Sequence, residues 1–237
     1  GCRRWRVELA ALSSQAIEVA VELLMRNGSF VVGGEPDRQR PTEADGGEGN
    51  VGRGEFLAGR SVVDIGAGVG QWSFRFFERR ASWVTAVEYS ADLAEIGRKE
   101  AARRNAHNVE FVVSPAEEYQ AKRTYDIVFI SGLFVYMNDD QAEKFAARLS
   151  ALCSPQTIVL LRDGTSILER RHEIDNRKSE HLQAMYSATY RTRAQYLDLF
   201  TRNGFELRGD ENMFDESCPL NKYPETRLRI YRFVPRR

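Results

Sequence analysis

The residues best suited to chemistry stand together near one quarter of the way along the chain, in "SVVDIGAGVGQWS", residues 61–73. Gly66, Gly68 and Gly70 recur at every second position, and Asp64 precedes the first of them by two. Glycine turns sharply and lets a ligand approach the main chain, so a short apolar run followed by such a loop reads as a strand delivering its end to a bound molecule. A dinucleotide fingerprint, G-x-G-x-x-G, would need its third glycine at position 71, where Gln71 stands. Asp64 also sits poorly beside a pyrophosphate, because two negative charges would meet with little water between them. A cationic ligand suits this loop better.

The elements that must position these residues follow from the pattern around them. After Gly59 short apolar runs alternate with helical segments: "SVVDI", "WVTAVE", "VEFVV", "YDIVFI" and "TIVLL" read as five parallel strands covered on both faces. A helix starts at Gln71 with Trp72, Phe76 and Phe77 inward. A second starts at Ser90, with acids in its first turn and bases in its last. Asn138 with Gln141 and Thr192 with Gln195 have the spacing of capping boxes, and Asn203-Gly204 that of a helix stop. "FELRG" and "RLRIYRFV" alternate as strands and read as antiparallel neighbours at one sheet edge. The expected fold is therefore α/β, a Rossmann-like doubly wound sheet of seven strands, mostly parallel with the last antiparallel, preceded by an N-terminal helix.

Ahead of this core, residues 1–27 carry Trp5, Leu9, Leu12, Ile17, Val21 and Leu24 at near-helical spacing. Residues 28–55 are polar and Gly-rich; nine of the 18 glycines fall between Gly28 and Gly59, which reads as a flexible connector. The expected organisation is a helical lid segment (1–27), this connector (28–55) and a ligand-binding domain (56–237), with a substrate-covering insertion around 164–192.

Lys plus Arg and Asp plus Glu both number 34, so no overall field draws the chain to nucleic acid or anionic membrane. Cys2, Cys153 and Cys218 are scattered with no CxxC pair, which argues against a metal knuckle or a disulfide framework and suits a reducing compartment. Polar residues interrupt every apolar run near the N-terminus, so neither a signal peptide nor a membrane span is expected, and the reading is cytoplasmic.

With its hydrophobic-hydrophobic-Asp-x-Gly-x-Gly-x-Gly pattern, "VVDIGAGVG" resembles the first motif of the class I S-adenosylmethionine-dependent methyltransferases. That resemblance covers residues 56–163 and implies S-adenosylmethionine as cofactor and S-adenosylhomocysteine as product. Carried over, Asp64, Gly66, Ala67, Gly68 and Gly70 hold the methionine part. Glu88, ending "VTAVE", accepts the ribose hydroxyls with Tyr89 beside it. Ala116 and Glu117 in "SPAEEY" bracket adenine, while Ser131 and Gly132 in "YDIVFISGLFVYM" lie beside methionine. No metal is implied.

Methyl transfer from a sulfonium is an in-line displacement, and a base matters only if the acceptor holds its proton. Candidates are Tyr136, standing where many relatives have His, Asp163 at the end of the fifth strand, and His172 beyond it; Tyr186, Tyr190 and Arg191 could line the acceptor pocket. Each has a plain structural alternative: ring packing for Tyr136, a helix cap for Asp163, a solvated helix face for His172, and core filling for the two tyrosines and the arginine. The Asn/Asp-Pro-Pro-aromatic motif of base-modifying members is missing after the fourth strand, where "SGLF" stands. The expected acceptor is a nitrogen or oxygen of a small molecule. The alternatives are a protein N-terminal amine, a non-catalytic S-adenosylmethionine-binding subunit of a larger enzyme and, more distantly, a nicotinamide oxidoreductase.

Overall fold

The computed structural model describes residues 56–179, 184–221 and 223–236; the helix and connector read over residues 1–55 lie outside it. Nine strands and four helices follow in chain order: β1 (Ser61–Ile65), α1 (Gln71–Glu78), β2 (Trp83–Glu88), α2 (Ala91–Arg103), β3 (Val109–Val113), β4 (Tyr125–Ser131), α3 (Asp139–Arg148), β5 (Cys153–Ser166), β6 (His172–Ser179), β7 (Ala184–Tyr190), α4 (Arg193–Arg202), β8 (Phe205–Asn212) and β9 (Thr226–Pro235). Seven strands form one sheet in the order β3-β2-β1-β4-β5-β9-β8. β1 to β5 run parallel, and β9 lies antiparallel between β5 and β8. All seven core strands, and the antiparallel last one, are as expected from the apolar runs.

Strand alternation divides the buried side chains between two layers. Trp72, Phe76, Phe111 and Phe129 pack on the face covered by α1 and α2. Phe134, Phe145, Tyr196, Phe200 and Phe233 fill the other, beneath α3 and α4. Phe200 and Phe233 stack with centroids 4.2 Å apart. Burying one such ring contributes about 1.5–3 kcal/mol, so these two layers hold the helices against the sheet.

The helix starts come from their caps. Ser90 accepts from the Leu93 N–H, and Asn138–Gln141 and Thr192–Gln195 each form a complete capping box. Gly204, at φ +88°, ends α4 in the left-handed region. The order reverses between β1 and β4, because β1 leads into α1 and β4 leads toward α3 on opposite faces. A crevice opens at the carboxyl ends of the strands at such a switch point.

The segment after β5 differs from expectation. "TIVLL" is the middle of a strand of 14 residues that runs on through Arg162, Asp163, Gly164 and Thr165. Among the described residues no helix lies between it and α4. β6 and β7 instead form a separate two-stranded antiparallel ribbon, with a register shift between Ile174 and Arg177. His172 therefore opens a strand rather than lying on a helix face, and its ring packs 5.9 Å from Tyr190.

Candidate active site

The three glycines of the β1–α1 loop all adopt left-handed backbone, at φ +79° for Gly66, +58° for Gly68 and +88° for Gly70. A side chain costs roughly 1–2 kcal/mol at each such position, which is why glycine recurs at every second place. A Cβ on Gly70 would also stand 2.5 Å from the Phe111 ring. The loop folds back onto the end of β2: the N–H groups of Gly66 and Ala67 both donate to the Val87 carbonyl, at 2.9 and 3.0 Å.

Glu88 completes this tie. Its carboxylate accepts from the Gly68 N–H and from the Ser90 N–H, each at 2.8 Å, so one acid joins the glycine loop to the start of α2. It is 9 % exposed. Two oxygens offer about four lone-pair positions, so two acceptor positions remain after these bonds, enough for a pair of hydroxyls. Tyr89 beside it is 76 % exposed.

Asp64 lies deeper, 1 % exposed, where its Oδ2 accepts from the Ser73 hydroxyl at 2.7 Å. Burial pushes its pKa up to about 7; the Ser73 bond works against that shift and the charge on Glu88 adds to it. Asp64 thus anchors the first turn of α1 beneath the glycine loop. Ala116 and Glu117 occupy a turn after β3 in which the Glu118 N–H donates to the Pro115 carbonyl at 3.1 Å. Ser131 ends β4, and Gly132 follows at φ +61° with nothing within 4 Å of where a Cβ would stand. Leu133 turns its side chain against Gly66, closing the floor between the two loops.

The acceptor candidates gather on the β5 side. Tyr136, 50 % exposed, meets Tyr186 edge-on at 6.2 Å, and the Tyr186 and Tyr190 hydroxyls share a hydrogen bond of 2.6 Å. Burial drives the Tyr186 phenol far above its ordinary value, and Tyr136 and Tyr223 lie near enough to add to that shift. Tyr190 can lie flat here only because Gly164 has no side chain; a Cβ there would stand 2.7 Å from two atoms of its ring. Tyr223, missed in the sequence because nothing local marks it, joins this group from the loop before β9.

Two candidates have another task. Arg191, read as a substrate contact, is 4 % exposed and donates to the Phe134 carbonyl (2.8 Å), the Met137 carbonyl (3.0 Å) and Asp139 Oδ1 (2.8 Å). Asp163, read as a base or helix cap, is fully buried; it accepts from the Phe134 N–H and the Gly164 N–H, both at 2.8 Å. Burial raises its pKa to about 7, against the pull of those backbone bonds and of Arg162. The two side chains clamp the single turn at Phe134–Tyr136 from either end, so they position Tyr136 rather than face an acceptor. A further concavity of about 340 Å³ lies beyond this clamp, where Arg193 and Arg229 line it and are both taken by Asp210.

These features fit S-adenosylmethionine. The glycine backbone is open and left-handed, and the acid that could hold vicinal hydroxyls keeps spare acceptor positions. Comparison with known proteins agrees. A methyltransferase-domain family model matches residues 62–156. Phosphoethanolamine N-methyltransferase 1 of Caenorhabditis elegans is 31 % identical over 148 residues, covering 61 % of this chain and 30 % of that protein. (S)-coclaurine N-methyltransferase of Thalictrum flavum subsp. glaucum is 29 % identical over 140 residues, covering 56 % and 39 %. The chain thus spans well under half the length of these relatives. Among solved structures, the Burkholderia thailandensis 1,6-didemethyltoxoflavin-N1-methyltransferase with bound S-adenosylhomocysteine superposes with a TM-score of 0.61 at 20 % identity, over 76 % of this chain and 72 % of that one. The DhpI complex with S-adenosylhomocysteine gives 0.61 at 19 % identity over 98 % and 93 %. No helix among the described residues is long and apolar enough to cross a membrane. The family model matched over residues 62–156 shows a methyltransferase domain, and the strand order and the solved neighbours share its Rossmann-like fold.

Proposed function

We propose that this chain transfers a methyl group from S-adenosylmethionine to a nitrogen or oxygen of a small-molecule acceptor. The observation that carries the reading is Glu88: a nearly buried acid that ties the glycine loop to α2 through two N–H groups and retains acceptor capacity. Gly66, Gly68 and Gly70 let the main chain approach the methionine part, and the turn after β3 supplies the edge against which adenine rests. When bound, the cofactor supplies a methyl group on a sulfonium. The protein's contribution is to align an acceptor with it and keep water away. Tyr136, Tyr186, Tyr190 and Tyr223 form the wall on which an acceptor would rest, and His172 stands at the edge of that wall. Two relatives whose names specify small-molecule N-methylation favour an amine over a hydroxyl.

Calorimetric titration with S-adenosylmethionine, S-adenosylhomocysteine and NAD tests the cofactor first. Micromolar binding of the first two and none of NAD is expected. Labelled-methyl transfer to a panel of small amines, phenols and carboxylic acids then tests the acceptor class. Absence of binding to either adenosyl compound would overturn the reading, and binding with no transfer to any of the panel would favour a non-catalytic subunit.

A further inference from the structure

Arg162 has no role in the arrangement described so far. It lies in β5, opposite Ser131 of β4 in register, with its side chain on the face opposite to that of Asp163. It is 6 % exposed. One nitrogen, Nη1, donates to Ser131 Oγ at 2.9 Å, and the guanidinium carbon sits 5.3 Å from the centre of the Trp72 ring. Its Nε is buried without a hydrogen-bond partner, and among the described residues no carboxylate forms an ion pair with it. Burial lowers its pKa to about 10, with the neighbouring Asp163 charge opposing.

A guanidinium removed from water is costly unless an anion or a full set of acceptors meets it. A hydroxyl and an indole face meet only part of that need. Its position indicates what could meet the remainder. Trp72 belongs to the first turn of α1 and Ser131 ends β4, so Arg162 reaches across the crevice where the strand order reverses. Its own carbonyl accepts the Gly132 N–H at 2.8 Å. The acids nearest this crevice are Glu88, which suits the ribose of the cofactor, and Asp64, buried beneath the glycine loop. They repel the cofactor's carboxylate.

Resting on the function proposed above, we infer that Arg162 is the anchor for the carboxylate of the cofactor's methionine part. The guanidinium fork offers two parallel donors to a carboxylate, a geometry that lysine cannot reproduce. Ser131 and Trp72 hold the fork in place before the ligand arrives.

The test compares S-adenosylhomocysteine with its decarboxylated analogue, which keeps the amine and lacks only the carboxylate. Titration is done on the unchanged protein, Arg162→Met and Arg162→Lys. The unchanged protein is expected to prefer S-adenosylhomocysteine at least tenfold. Arg162→Met should weaken that ligand by about 10- to 100-fold and leave the analogue within twofold, so the preference collapses. Arg162→Lys, which keeps a buried charge, should fall between the two and covers the case in which the Met variant fails to fold. Equal weakening of both ligands, or of neither, would overturn the inference and leave Arg162 as a packing partner of Trp72. If the unchanged protein binds neither compound, the cofactor reading itself fails, and the inference fails with it.

Discussion

Replacing Glu88 by glutamine keeps the side chain's shape and removes its charge. The carboxylate accepts two backbone N–H groups at 2.8 Å, from Gly68 and Ser90. Glutamine retains one oxygen for one of them and turns an NH₂ toward the other, so a donor faces a donor. Hydrogen bonds to a charged acceptor contribute about 1.5–3 kcal/mol each, so the variant should lose roughly 2–3 kcal/mol of unfolding free energy in urea without ligand. Affinity should fall separately. If ribose hydroxyls use the two remaining acceptor positions, the weaker neutral acceptor removes about 1–3 kcal/mol of binding, roughly 5- to 150-fold in Kd for S-adenosylhomocysteine. Urea titration and calorimetry on the same preparation separate these two effects. A Kd within twofold of the unchanged protein, alongside the expected stability loss, would refute the ribose assignment and leave Glu88 as a brace for the loop alone.

Asp64→Asn tests the buried acid through pH. The folded pKa of about 7 lies above the ordinary 3.8, so the folded state holds a proton that the unfolded state has released. That contribution is complete below pH 3.8 and is lost as the pH rises through 7; the unchanged protein should lose urea stability between pH 5 and 7 more steeply than the variant. Arg191→Met strands two buried carbonyls, those of Phe134 and Met137, and should lose about 2–5 kcal/mol of unfolding free energy. A loss under 1 kcal/mol in urea would show that the clamp is dispensable. Gly164→Ala places a Cβ 2.7 Å from the Tyr190 ring and should destabilise by about 1–3 kcal/mol. In steady-state kinetics with an acceptor from the labelled-methyl panel, KM should rise while S-adenosylhomocysteine affinity stays within twofold. Unchanged KM would remove Tyr190 from the acceptor wall. Tyr136→Ala, at a half-exposed ring, should shift urea stability by less than about 0.5 kcal/mol and lower methyl transfer; full activity would take Tyr136 out of the site.

The sheet was legible because its strands are nearly pure apolar runs, and three helix starts because Ser90, Asn138 and Thr192 cap within four residues of themselves. Local chemistry leaves a local trace. The end of β5 left none: "RDGTS" reads as a polar loop, yet Arg162, Asp163 and Thr165 are buried through Trp72 and Ser131, Phe134 and Tyr231 respectively. Those partners stand some 30 to 90 residues away in sequence, outside any window of periodicity. The ribbon was hidden differently. "HEIDNRKS" carries one strongly apolar residue, Ile174, so neither face alternates, and the pairing with β7 is fixed by cross-strand register instead. Arg191 could not be told from a ligand contact, because a buried arginine and a binding arginine look the same until the carbonyls it meets are known.

The position of β9 has a consequence for how the protein is made. It supplies Ile230, Tyr231 and Phe233 to the core and pairs along Val159–Ser166 of β5, yet it comes last among the described elements. A ribosome delivers residues in order, so β5 waits with one hydrogen-bonding edge open while the ribbon, α4 and β8 are synthesised. Among the described residues β8 has only β9 as its sheet partner and cannot join before it. The sheet therefore closes on this side only once β9 has left the exit tunnel, and until then β5 presents an open hydrogen-bonding edge that a chaperone, or another copy of the chain, can pair with.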